Sequence, residues 1–164
     1  MRDFQAYRTD PEVGRWQGWQ IMTGAQALAF LAEMHRAPLF EPGRWVQLGI
    51  ALREPDVPGG EPGQLVGDIG LVLDAGDPAR AEIGFTLNAR WQGRGLASEA
   101  VAEARRLVFD CTAARTLQAV TDARNVGSVR LLERLGFRRL ETMQAIFRGE
   151  PCLEHRYASE RGDP

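Results

Sequence analysis

The strongest constraint on how this chain folds is a change of hydrophobic period across Trp91-Gln92-Gly93-Arg94-Gly95-Leu96-Ala97-Ser98. Before it the period is two. Val46, Leu48, Ile50 and Leu52 share one face of a strand, and Leu65 to Leu73 and Ala81 to Leu87 read as two more. Residues 53–63, with three prolines and three glycines, and Asp74 to Pro78 connect them as turns. After it, Leu96, Ala100, Val101, Ala104, Leu107 and Val108 recur at helical spacing, so Gly95 to Asp110 is predicted as a helix. Thr116 to Asp122 then reads as a strand, Val126 to Leu135 as a helix stopped by Gly136, and Leu140–Phe147 and Leu153–Tyr157 as strands. Leu132 and Phe137 have the spacing of the apolar contact that accompanies a glycine C-cap.

Upstream, residues 1–9 are predicted as a short helix ended by Asp10-Pro11. Gly24 to Arg36 is predicted as a second helix, with Ala27, Leu28, Leu31 and Met34 on its apolar face and Pro38 as its stop. A strand–helix–strand passage inside a mainly antiparallel sheet requires one parallel crossover. The expected fold is α+β, a mixed α/β sandwich: a mostly antiparallel central sheet with one parallel crossover and helices on both faces. Residues 1–158 are expected to form a single domain and residues 159–164 a disordered tail.

Composition removes several chemistries. All 20 basic residues are arginine, which excludes a Schiff-base lysine and a P-loop lysine. Three serines and two histidines leave little room for a Ser-His-Asp triad. His35, Cys111, Cys152 and His155 do not have zinc spacing, so no metal is expected. A net charge of −2 gives no footprint for nucleic acid. No apolar run reaches the ~18 residues of a membrane span, and Met1-Arg2-Asp3-Phe4 lacks the apolar core of a signal peptide. The expected setting is the cytoplasm.

The glycine turn follows a strand and opens a long helix, where unpaired N–H groups and the helix dipole favour an anion. A tight strand-to-helix turn also needs small residues, with no ligand at all. Among phosphate sites, the nucleotide P-loop needs the absent lysine. The dinucleotide fingerprint expects a third small residue where Ser98 stands, and an alternating βαβ start that the meander does not supply. The pyrophosphate of coenzyme A is the third possibility.

Gln92-x-x-Gly95-x-Ala97 resembles the coenzyme-binding signature of the Gcn5-related N-acetyltransferases. The run from Asp122 to Phe137, with Asn125-x-x-Ser128 and Leu135-Gly136-Phe137, resembles a second segment of that family, in order and in register. Thr9-Asp10-Pro11-Glu12-Val13, Trp16, Trp19, Phe147-Arg148-Gly149-Glu150 and Tyr157 resemble the branch of ribosomal-protein N-terminal acetyltransferases.

The resemblance implies an acyl-coenzyme A N-acyltransferase fold and direct acetyl transfer from acetyl-CoA to an amine, a small molecule or a peptide. It implies that Phe85, Thr86 and Leu87 bond the pantetheine arm and polarise the thioester. Gln92, Gly93, Arg94, Gly95, Leu96 and Ala97 would hold the pyrophosphate, Asn125 the pantetheine amide, and Ser128 the arm or the sulfur. Asn125 also reads as a helix N-cap. Glu82, on the strand before Gly84, is the candidate base acting through water. Trp16, Trp19 and Trp45 read as core in preference to acceptor-pocket wall. Many members of the wider family carry a tyrosine as general acid four residues before the glycine of Leu-Gly-Phe; Leu132 stands there. That departure keeps a second reading open, a non-catalytic acetyl-CoA-binding module on the same fold. A small phosphate-ligand protein on another fold is a third, against which the Asn125–Phe137 run argues. The family also begins with a strand where Met1 to Gln5 reads as helix; an absent first strand would leave a sheet edge open to a second copy, so a homodimer is expected.

Overall fold

The computed structural model of the protein describes residues 1–53 and 58–163; part of the predicted 53–63 loop lies outside the described residues. Three helices come first, α1 (Arg2–Arg8), α2 (Pro11–Gly14) and α3 (Gly24–Arg36). A meander follows, β1 (Val46–Ala51), β2 (Leu65–Leu73) and β3 (Arg80–Leu87). Then come α4 (Leu96–Cys111), β4 (Thr116–Asp122), α5 (Val126–Arg134), β5 (Arg138–Phe147) and β6 (Glu150–Glu160). The strands form one six-stranded sheet in the order β1-β2-β3-β4-β6-β5. Every neighbouring pair is antiparallel except β3 and β4. The architecture is thus the mixed α+β sheet with one parallel crossover that the sequence predicts.

Sequence reading and structure differ at three places. Asp10-Pro11, expected only to stop a helix, also starts α2, because the Asp10 side chain accepts from the Glu12 N–H and proline fits the first helical position. Leu28 is 62% exposed, so the buried face of α3 is Ala27 with Phe30 and Leu31. The physical reason is that α3 turns this face toward α1, where the Phe30 ring stacks on Phe4 at 5.7 Å, while the helix also runs beside β1. At the other end, β6 continues to Glu160, two residues into the predicted tail. Ser159 is fully buried, and the Arg161 side chain donates to the carbonyls of Ala114 and Thr112. Pairing of Thr116 with Glu160 and of Leu117 with Ser159 holds those residues in the ladder.

The main core lies between the sheet and the pair α4 and α5. Ile83 and Leu117 from the sheet meet Val101 and Val108 of α4 and Leu132 of α5. Burying each such side chain is worth roughly 1.5–3 kcal/mol. The α5 end is fixed by backbone bonds from Phe137 N–H to the Leu132 carbonyl (3.0 Å) and from Gly136 N–H to the Glu133 carbonyl (3.1 Å). This is the Schellman closure. It requires the left-handed φ of +80° that Gly136 adopts, and both Leu132 and Phe137 are buried beside it.

The opposite face carries α1. Asp68, on β2, is buried there and accepts from the Tyr7 hydroxyl (2.6 Å) and the Arg8 guanidinium (2.8 Å) through one oxygen. The Arg8 guanidinium also lies 3.9 Å over the Trp19 ring. Burial, followed by the neighbouring Asp68 charge, pushes the Tyr7 hydroxyl far above its ordinary range, so it is a permanent donor. This network fastens α1 and the segment after α2 to the strand beside β3.

Candidate active site

β3 and β4 pair only over Arg80–Thr116, Ala81–Leu117 and Glu82–Gln118. β3 then runs on to Leu87 and β4 to Asp122, and the two separate. The gap between them opens a cleft of about 490 Å³. Its floor is Phe85, Thr86 and Leu87; the N-terminal ends of α4 and α5 form one wall and Glu12 to Gln17 the other.

The glycine turn builds the α4 wall. Asn88 Oδ1 accepts from Arg90 N–H (3.0 Å) and starts a 3-10 turn at Ala89–Trp91, and Trp91 is buried against Leu52, Val66 and Leu87. The Gln92 side chain donates to the Leu87 carbonyl (3.0 Å), and its backbone N–H donates to Ala89 (3.2 Å). Gly93 and Gly95 then take φ of +75° and +82°, and Gly95 caps α4 without any side-chain bond. The first N–H groups of that helix, at Leu96, Ala97 and Ser98, therefore have no intrahelical acceptor, and all three residues line the cleft. A Cβ built at Gly93 or Gly95 meets no protein atom within 4 Å, which leaves room for a ligand to approach the backbone.

Asn125 builds the α5 wall. Its Oδ1 accepts from the Ser128 N–H (3.3 Å), so the capping role expected from sequence is present, and its side chain lines the cleft as well. Ser128 lies on the same wall. Asn125→Ala is expected to lower stability by about 1 kcal/mol through the lost cap, and to weaken coenzyme binding. Denaturant melts paired with calorimetry check both effects; a stability loss at unchanged affinity would leave Asn125 a cap alone.

Ten of the eleven expected cofactor residues line this cleft: Phe85, Thr86, Leu87, Gln92, Gly93, Gly95, Leu96, Ala97, Asn125 and Ser128. Arg94 does not. Its guanidinium lies 4.9 Å over the Trp91 ring and donates to the Pro58 carbonyl (3.1 Å), which turns it toward the loop. The cations at the cleft are Arg15, Arg130 and Arg134. Arg134 donates to Ser98 Oγ at the start of α4 (3.1 Å), and Arg15 pairs with Glu12 (3.0 Å). Arg130 and Arg134 were recognisable in principle: they stand four apart on the helix that Asn125 caps, and so share one face.

A smaller cavity of about 200 Å³ joins the cleft where Phe85, Asn125 and Ser128 line both. Trp16 lines both too, so it is a cavity wall, contrary to the expected core role. Trp45 is exposed, and Trp19 covers Arg8. Segment 15–20 is held in place from two sides. The Gln17 side chain donates to the Phe85 carbonyl (3.3 Å), and Arg148, in the β5–β6 turn, donates to the carbonyls of Gln17 (3.0 Å) and Trp19 (3.3 Å). Glu82 is half-buried next to the last β3–β4 rung, and neither cavity is lined by it. Burial raises its carboxyl above the ordinary range; Arg156 opposes this and Glu154 adds to it. Leu132 is fully buried in the core and does not reach the cleft. The Tyr7 hydroxyl is spent on Asp68 and that of Tyr157 on Glu133 (3.1 Å).

A family model described as Acetyltransferase (GNAT) domain matches residues 1–138. The curated protein "Uncharacterized N-acetyltransferase p20" from Bacillus licheniformis is 26% identical over 133 residues, 81% of this chain and 70% of that protein. A GNAT-family acetyltransferase structure from Bacillus anthracis superposes with a TM-score of 0.81 at 21% identity, covering 99% of this chain and 89% of the other. The microcin C7 self immunity acetyltransferase MccE, solved in complex with acetyl-CoA and AMP, superposes with a TM-score of 0.75 at 15% identity, covering 97% and 86%.

Proposed function

This chain belongs to the acetyltransferase (GNAT) family, and from that premise we propose that it moves the acetyl group of acetyl-CoA directly to a primary amine, with the coenzyme in the cleft between β3 and β4. The observation that carries this reading is the α4 N-terminus. Free N–H groups at a glycine turn face a cleft that also holds Arg130 and Arg134, which suits a pyrophosphate. MccE, of the same fold, holds acetyl-CoA in its solved structure. Residues 1–160 would act as one domain, two residues longer than the sequence suggested, with protein N-termini or small amines as acceptors, and the branch of ribosomal-protein N-terminal acetyltransferases as the nearest functional analogy. The homodimer and the cytoplasmic setting belong to the same proposal. Among the described residues no cluster of His, Cys, Asp and Glu gathers to hold a metal, and the chemistry above requires none.

In the reaction, the lone pair of the neutral amine attacks the thioester carbonyl carbon. The C–N bond forms, an oxyanion develops, and its collapse breaks the C–S bond and releases the coenzyme thiolate. The proton lost by the amine has to cross bridging water to reach Glu82, which lines neither cavity but whose burial keeps it a stronger base than an ordinary carboxylate. The thiolate takes a proton from water while the Ser128 hydroxyl, on the α5 wall, donates a hydrogen bond to the sulfur. A non-catalytic acetyl-CoA-binding module is favoured by one observation only, the buried leucine at position 132.

Gly95→Val tests the site. A β-branched residue is strained at φ +82°, and its side chain projects into the space open to the ligand. Acetyl-CoA affinity is expected to fall at least tenfold, about 1.4 kcal/mol. Unchanged affinity by calorimetry in a folded variant overturns the placement of the coenzyme, and thiol release against an amine panel separates a transferase from a binding module.

A further inference from the structure

The two joined cavities carry opposite charge. The larger cleft has Arg15, Arg130 and Arg134 on its walls against a single carboxylate, Glu12, which is paired with Arg15. The smaller cavity is lined by no arginine among the described residues, and its two charged side chains are both carboxylates, Asp122 and Glu154. These two are not equivalent. Asp122 is committed to Arg124, which bonds both of its oxygens at 2.9 and 2.6 Å. Glu154 makes no hydrogen bond and no ion pair among the described residues. The cation on its side of the sheet, Arg156, is spent on Glu141 at 2.9 Å. The same cavity is lined by the aromatic and apolar side chains of Trp16, Val120 and Phe147 and by the neutral polar ones of Gln17, Thr121 and Asn125. The junction with the cleft lies at Phe85 and Ser128, where the proposed reaction places the thioester.

We infer that the smaller cavity is the acceptor pocket, and that Glu154 selects amines carrying no anionic group beside the nitrogen: an alkylamine or an amidated amino acid or peptide N-terminus, against a free amino acid. This inference rests on the proposed acetyl transfer. An incoming ammonium finds in Glu154 the one carboxylate of the cavity lining, among the described residues, that no cation already holds. An α-carboxylate entering beside that ammonium meets the unpaired Glu154, and none of the described residues lining the cavity is an arginine that could take it; Arg124 is held by Asp122. Like charges at close range in a half-buried site repel strongly enough to reject the wrong ligand. Trp16 and Phe147 give the rest of the acceptor an apolar wall and, for the ammonium, aromatic faces.

A matched pair tests it: leucinamide and free leucine, which differ only at the carboxyl group. With the full chain and saturating acetyl-CoA, thiol release is expected to show leucinamide used at least tenfold more efficiently in kcat/KM. Glu154→Gln is expected to raise the KM for leucinamide at least tenfold and to narrow the amide-to-acid ratio, while acetyl-CoA affinity stays unchanged. Glu154→Arg is expected to invert the preference. Equal use of the two compounds, or a leucinamide KM and an amide-to-acid ratio untouched by Glu154→Gln, overturns the inference. Calorimetric titration of each compound onto the protein alone keeps the two readings apart. Failure to bind acetyl-CoA overturns the cleft assignment. Binding of leucinamide that Glu154→Gln abolishes still supports the acceptor-side charge selection, and equal binding of leucine and leucinamide overturns it.

Discussion

Asp68→Ala is expected to lower the unfolding free energy by about 3–5 kcal/mol, because it strands a buried cation. Arg8 is 6% exposed and Asp68 5%, and Asp68 supplies the one carboxylate that Arg8 pairs with, at 2.8 Å. The Arg8 Nε is already buried without a hydrogen-bond partner among the described residues, so the guanidinium has no spare acceptor to turn to. Its contact with the Trp19 ring offsets only part of the loss. The Tyr7 hydroxyl loses its acceptor in the same step. Tyr7→Phe, which leaves the ion pair intact, is expected to cost about 1 kcal/mol. Denaturant unfolding with comparable m-values for the three proteins gives the comparison. A penalty for Asp68→Ala no larger than that for Tyr7→Phe would mean that Arg8 reaches water and that the pair contributes little.

Ser128→Ala is expected to lower turnover about tenfold to a hundredfold while acetyl-CoA affinity moves little. A hydrogen bond to a charged group contributes roughly 1.5–3 kcal/mol, and here the charge exists only as the thiolate forms. An interaction made in the transition state and absent from the ground state lowers kcat and spares binding. The competing donors are accounted for: Leu132 has none, and Tyr7 and Tyr157 are bonded elsewhere. Steady-state kinetics with an accepted amine, combined with calorimetry of the coenzyme, read the two quantities separately. Normal turnover would show that the thiolate leaves without help from Ser128, its charge met by water or by a group on the acceptor.

Much of this architecture is local and so was legible in the chain. The glycine turn, the Asn125 cap and the Gly136 stop each arise from backbone rules spanning a few residues, and the structure carries all three. The parallel rung between β3 and β4 followed from the crossover that a strand–helix–strand passage demands. What the sequence hid depends on long-range packing. Segment 15–20 has no hydrophobic period, so nothing local shows that Trp16 would line a cavity held open from residue 148. Leu28 sits at a plausible helical spacing, and only the choice of α1 as the packing partner of α3 sets it outside. Glu154 is one residue in an alternating strand, and which charges stand beside it depends on the pairing of β6 with β4 and β5. Asp68 did leave a sign: it is the sole charged residue within Leu65–Leu73, where a solvated carboxylate has no place.

The β5–β6 turn, Arg148-Gly149, touches neither phosphates nor thioester in the proposed arrangement, yet it is bonded to the backbone of Gln17, which lines both cavities. Any ligand that prefers one setting of that segment shifts the population of the other cavity's shape, and thermodynamic reciprocity makes the factor equal in both directions. Arg148 thus ties the hairpin to a backbone segment that both cavities share. A lost Arg148 side chain should be read in the free energy linking the two substrates, with each single affinity less affected than their cooperativity.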